Sequence, residues 1–221
     1  MKFFSRTAHT GEGLAATNVL SLLDNQLILI IRAWGSTDYT QKFKDEVEHY
    51  LSSTQADLEV TIPFHFHENL TSLANRTRIS LRLVHDSFLK NENKTEYTVG
   101  FEAAVLFKSK EELAWSSVGR FAIDKVTRNS LGTYLYTYTK SGSDLDRETL
   151  LPVQLIGIEK EIDICSGSIR FCEHDKIIVS STYGCSVVVD EDADEIGKQL
   201  LCPIDINSSR GAYWFSVVSV D

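Results

Sequence analysis

The sequence has little proline, 3 residues in 221, and no apolar run long enough to span a bilayer, the longest being Leu27 to Ile31. With 43% hydrophobic residues, that scarcity excludes a disordered chain and leaves a globular one, long enough to bury a core without staples. No basic run is present and the formal charge is −9, which argues against a nucleic-acid partner, since phosphate binding needs locally clustered Lys and Arg. The cysteines, Cys165, Cys172, Cys185 and Cys202, form no CxxC pair. Zinc knuckles and dithiol redox motifs are thereby set aside, and isolated buried thiols in a reducing compartment are expected. The opening Met1-Lys-Phe-Phe-Ser-Arg-Thr turns polar at once, so neither a signal peptide nor membrane insertion is expected and the location is read as cytoplasmic. In that setting the Asn-x-Ser/Thr matches at Asn69, Asn75, Asn93 and Asn207 carry no weight. No Gly-x-Ser-x-Gly elbow, Gly-x-Gly-x-x-Gly phrase or P-loop marks a nucleophile or a nucleotide site.

What is present is a change of period along the chain. Strands are expected at Lys2 to Ala8, Ala16 to Leu23 and Gln26 to Ala33, with Asp24-Asn25 as a two-residue hairpin loop. From Ser36 the period becomes helical: Tyr39, Phe43, Val47, Tyr50 and Leu51 share a face, and Ser52-Ser53-Thr54 is expected to end the helix. An extended piece, Glu59 to Phe66, leads to a second helix from about Asn69 to Lys90, striped by Leu70, Leu73, Ala74, Thr77, Leu81, Val84 and Phe88. Strands are then expected at Thr98 to Phe107, Leu113 to Ile123, Thr133 to Thr139, Glu161 to Cys165, Ser168 to Phe171 and Lys176 to Ser181, with Lys108 to Glu112 as a charged turn. A short helix, Asp192 to Leu201, and a last strand, Ala212 to Val220, close the chain. Separate blocks of strands and helices predict an α+β layered sandwich, two sheets packed together and covered by helices. With no linker rich in Pro, Gly or Ser, residues 1–221 are read as a single domain.

That order and several phrases resemble the metal-dependent protein phosphatases of the PPM, or type 2C, family, whose fold is a four-layer α-β-β-α sandwich with two antiparallel sheets. Leu29-Ile-Ile-Arg-Ala-Trp-Gly-Ser36 stands where the family has Val-Ala-Asp-Gly-x-Gly-Gly; Gly35 matches, and Arg32 occupies the metal-bridging aspartate position. Val99-Gly-Phe-Glu-Ala-Ala-Val-Leu106 is similar to the strand opened by a Gly-Thr/Ser phrase. Ser117-Val-Gly-Arg-Phe-Ala122 is similar to the Val-Gly-Asp-Ser-Arg strand, with Val118-Gly119 kept and Arg120 replacing the acid. Leu151-Pro-Val-Gln-Leu-Ile-Gly157 resembles the phrase before the late strands, and Glu173 to Gly184 resembles Gly-Asp-x-hydrophobic-Ser-Asp-Gly, with Thr182 or Tyr183 in place of the metal-binding aspartate. The last strand's Asp-Asn phrase is matched by Arg210-Gly211-Ala-Tyr-Trp214, which has no acid. About 30 residues separate Val118-Gly119 from Leu151-Pro152, so the segment around 124–150 is compressed relative to the family.

The resemblance implies chemistry with two hard cations, Mg²⁺ or Mn²⁺, held by several carboxylates that compensate their lost hydration. Arg32, Arg120, Thr182 and Gly211 supply no carboxylate, so neither catalytic residues nor a metal cofactor are expected at those positions. Arg32 and Arg120 could instead bind a phosphate or an acidic side chain; the plainer reading makes them surface or rim residues of a disused site. His65 and His67, two apart, would share one face of a strand and could hold zinc with a third ligand, although solvent-facing histidines are the simpler expectation. The acidic run Asp190 to Glu195 lacks the glycine and spacing of a calcium loop. The reading is a non-catalytic PPM-like domain, a pseudophosphatase, that binds a protein partner or regulates one. The alternative is a divergent metal-dependent serine/threonine protein phosphatase with a site rebuilt from acids such as Asp24, Glu102, Asp124 or Asp175. An N-terminal-nucleophile hydrolase shares the layer order, but Met1-Lys2 suggests no processing to a nucleophile.

Overall fold

The computed structural model describes residues 2–8, 17–56, 64–110, 112–129, 132–140, 154–170, 175–181 and 213–219. Ten strands are found among them: β1 (Lys2–Ala8), β2 (Thr17–Leu22), β3 (Leu27–Gly35), β4 (Val99–Ser109), β5 (Glu112–Val118), β6 (Phe121–Asn129), β7 (Gly132–Lys140), β8 (Cys165–Arg170), β9 (Lys176–Ser181) and β10 (Tyr213–Ser219). They form two antiparallel five-stranded sheets, ordered β1-β10-β9-β6-β7 and β2-β3-β4-β5-β8. The fold class is α+β, as the sequence predicts. The chain runs alternately through two compact units, the first holding the β1-β10-β9-β6-β7 sheet and the second the other sheet with both helices. Among the described residues no helix is long and apolar enough to cross a membrane.

Several expectations are corrected. The single strand expected over Leu113 to Ile123 is two, β5 and β6, in different sheets, because Gly119 at φ 102° breaks the extended backbone. The strands expected at 161–165 and 168–171 give one, β8. The β2–β3 connection is longer than two residues: Leu23, Asp24 and Asn25 all have positive φ, and the Gln26 N–H closes the turn on the Leu23 carbonyl at 3.0 Å. Residues 64–70 form no strand. The short helix expected at Asp192 to Leu201, the acidic run beside it, and residues 59–63 of the extended piece lie outside the described residues.

The second unit carries the larger described core. β3 alternates Leu27, Leu29, Ile31 and Ala33 into a cluster with Phe43 and Val47 of α1 (Thr40–Ala56), Val84 and Phe88 of α2 (Ser72–Lys90), and Phe101, Val105 and Phe107 of β4. Phe101 stands at its centre, 4.7 Å from Phe43 and 5.0 Å from Phe88 between ring centroids. The intervening Ile28, Ile30, Ala104 and Leu106 are buried as well. A strand covered on both faces reads as a continuous apolar run, which is how Leu27 to Ile31 reads.

Local hydrogen bonding sets the helix ends. Ser36 caps a 3-10 turn, Thr37–Tyr39, that leads into α1. The helix continues through Ser52-Ser53-Thr54 because each hydroxyl bonds the carbonyl three residues back, at 3.0, 2.9 and 3.1 Å, instead of competing for a terminus. Thr71 caps α2 by accepting from the Ala74 N–H at 3.2 Å. Buried Asn75 grips the backbone of His67, accepting its N–H at 2.7 Å and donating to its carbonyl at 3.0 Å. On the sheet side, Thr77, Ser116 and Ser166 form a hydroxyl chain with 2.8 Å links, joining α2 to β5 and β8.

The segment 154–164 is clamped to this unit by two buried polar side chains. Ile156 pairs with Phe101 through backbone bonds of 2.8 and 3.1 Å. Asn93 donates to the carbonyls of Val99 and Gly157 at 2.8 and 2.7 Å and accepts from the N–H groups of Thr98 and Val99 at 2.8 and 3.2 Å. His85, fully buried on α2, accepts from the Gly157 N–H at its Nδ1, 3.1 Å away. Burial first and the Arg82 guanidinium second hold this imidazole below its ordinary pKa, outweighing Asp86 and the Lys160 backbone.

Two outcomes follow from this clamp. Asn93→Ala strands four backbone groups and should cost about 3 kcal/mol in urea unfolding. For His85 the folded pKa lies below the ordinary 6.5, so the unfolded chain takes up the proton first. Its contribution to stability is therefore complete above that pH and declines as pH falls through 6.5 toward the folded pKa. Unfolding midpoints measured across this window should fall for the wild type and fall less steeply for His85→Gln.

Candidate functional site

Three neighbouring strands place a polar cluster inside an apolar sheet. Register puts Thr17 of β2, Arg32 of β3 and Glu102 of β4 directly opposite one another. Arg32 Nη1 lies 3.3 Å from Glu102 Oε2, and its Nε donates to Thr17 Oγ1 at 3.2 Å. Trp34, two residues along β3 and so on the same face, donates its indole N–H to the same Oε2 at 3.0 Å. Arg32 and Glu102 are 5% and 1% exposed, so this is an interior ion pair and Arg32 is not a surface or rim residue. Burial lowers the Arg32 pKa, and the Glu102 charge and hydrogen bond oppose that shift.

Gly119, at the end of β5, completes the surround. A Cβ there would lie 2.6 Å from Glu102 Cγ and 2.7 Å from Oε1, so the glycine backbone is packed against the carboxylate side chain. The kept Val118-Gly119 phrase thus has a packing reason in this chain. Arg120, which follows, is 5% exposed and belongs to the first unit.

The cluster does not fit a metal centre. A hard dication needs several carboxylates, whereas this position offers one, already facing a guanidinium and an indole N–H. Among the described residues no group of three or more His, Cys, Asp or Glu converges. Of the other acids considered from the sequence, Asp24 belongs to the second unit and Asp124 and Asp175 to the first. Asp24 sits in the exposed β2–β3 turn, beyond Leu27, which is itself about 17 Å along β3 from Arg32 by strand rise. Asp175, in the first unit, is buried and bound by Lys125 Nζ at 2.5 Å and Thr127 Oγ1 at 2.8 Å. Asp124 is also buried in that unit, beside an irregularity in the β6–β7 register. His65 and His67 are exposed, and without a strand the alternation that would align them does not operate. Thr182, Tyr183 and Gly211 lie outside the described residues. Cys165 is exposed, not buried as expected.

Sequence reasoning took Glu102 only as a possible metal ligand and overlooked Trp34. The signal was available: a charged residue within the apolar stretch 27–34 requires a buried counter-charge, and Glu102 is the acid of the equally apolar stretch 99–107.

No protein-family model matches the sequence, and no curated protein matches it. Solved structures do. PppA, described as a key regulatory component of T6SS in Pseudomonas aeruginosa, is 12% identical, with 99% of this chain and 97% of that one covered and a TM-score of 0.61. The PPM Ser-Thr phosphatase MsPP from Mycobacterium smegmatis, in complex with cacodylate, is 11% identical over 100% and 99% of the two chains, with a TM-score of 0.59. The Mycobacterium tuberculosis serine/threonine phosphatase PstP/Ppp is 12% identical over 98% and 97%, with a TM-score of 0.58. At these identities the similarity is one of fold, and it extends over nearly the whole of each chain. The chain has the fold of the PPM serine/threonine phosphatases.

Proposed function

We propose that this chain is a non-catalytic PPM-like domain, a pseudophosphatase, that works in the cytoplasm by binding or regulating another protein. One observation carries the reading: at the position resembling the family's metal-bridging aspartate stands Arg32, buried and paired with Glu102. A dication could not share that spot with a guanidinium, and phosphoester hydrolysis of this class depends on metal-activated water. The neighbour described as a regulatory component favours a regulatory role over one in turnover. A protein partner also suits the strongly negative charge, which disfavours nucleic acid.

The second reading, a divergent phosphatase using Mg²⁺ or Mn²⁺, is favoured by the neighbours that are themselves serine/threonine phosphatases. Purified protein incubated with either ion and an aryl phosphate separates the two. No release above the protein-free control is expected; turnover that disappears on chelation would establish the second reading instead.

A further inference from the structure

We infer that Arg32 is a built-in cation for Glu102, supplying from the chain itself the positive charge that a dissociable ion would otherwise bring. This deepens the non-catalytic reading and rests on it for the meaning of the position: the cluster is closed to metal, not merely short of ligands.

The chemistry is in the donors. Glu102 Oε2 accepts from both Arg32 Nη1 and the Trp34 indole, so two donor hydrogens point at this oxygen and oppose a cation there. Arg32 is fixed in turn by the Thr17 hydroxyl on the neighbouring strand. An incoming dication would meet a guanidinium that cannot be deprotonated or turned out to water without breaking both contacts. Arg32 and Glu102 are neutral as a pair and dry, which makes each costly to leave alone. The inference therefore concerns charge rather than shape, and it predicts that the folded state is indifferent to metal and to chelator.

The test is urea unfolding of the full chain, in EDTA and in millimolar Mn²⁺, for the wild type, Arg32→Lys, Arg32→Gln, Glu102→Gln and the double variant Arg32→Gln/Glu102→Gln. The wild-type midpoint should be the same in both solutions. Arg32→Gln should lower the folding equilibrium constant at least tenfold, Arg32→Lys distinctly less, and the double variant should be at least tenfold more stable than the sum of the single effects. Equal losses for Lys and Gln, additive single effects, or a wild-type midpoint that rises with Mn²⁺ would overturn the inference. If Arg32→Gln does not fold, a folded double variant supports the inference and an unfolded one overturns it. Metal-dependent phosphatase activity alongside strong coupling would remove the non-catalytic reading and leave Arg32 in this role; additivity without activity would do the reverse.

Discussion

A guanidinium and a carboxylate facing each other across adjacent strands, out of water, impose a constraint that the residues around them have to meet. Desolvating either charge alone costs several kcal/mol, so the pair is stable only if strand register delivers both to the same point. β3 and β4 are apolar on both faces, and simple alternation gives such strands little reason to prefer one register. A slip of one residue would turn Arg32 toward Phe43 and Phe101 and separate it from Glu102. The ion pair thus supplies specificity that the hydrophobic pattern of these strands lacks, and Thr17 extends the constraint to β2.

The first unit contains a comparable device. Lys125 of β6 reaches Asp175 immediately before β9, and Thr127, two residues along β6, binds the same carboxylate. Lys125 and Thr127 flank Val126, whose register partner is Lys176, the first residue of β9. The first unit therefore also sets a cation against a buried anion beside hydrogen-bonded strands, Lys125 being partly buried and Asp175 fully so, with a threonine hydroxyl completing the set. Asn75 and Asn93 serve connections in the same manner, satisfying backbone groups of segments that lack a strand partner for all their donors.

Much of the architecture was legible because it follows from periodicity. Strands β1 and β9 coincide with their expected limits, and both helices follow their apolar stripes. What escaped depended on contacts between residues distant in sequence or on backbone conformation that hydropathy does not encode. The run from Leu113 to Ile123 is uniformly strand-like in composition, yet Gly119 divides it between two sheets. Ser52-Ser53-Thr54 has the composition of a helix stop, but hydroxyls bonding back to carbonyls continue the helix. At the candidate site Arg32 and Glu102 were each visible in the sequence as odd charges, while their pairing across 70 positions was not. Only the β3–β4 register turns two oddly placed charges into one interaction.

The same contrast explains how a chain can resemble a family in its glycines and differ from it in its acids. Gly35 has φ 103°, and a Cβ there would stand 2.4 Å from the Thr98 carbonyl oxygen, which accepts the Ser36 N–H. Gly119 has a similar φ and packs on Glu102. Neither requirement involves a substrate or a metal; both come from strand ends that must turn in a confined space. Selection for the fold alone would keep these glycines. An acid at the position of Arg32 would be kept only while a cation was there to neutralise it, since two carboxylates facing each other in the dry register of β3 and β4 would repel. On the proposed reading, in which no metal occupies this position, a basic residue is the replacement that leaves Glu102 satisfied, and the β3–β4 register sets Arg32 opposite it.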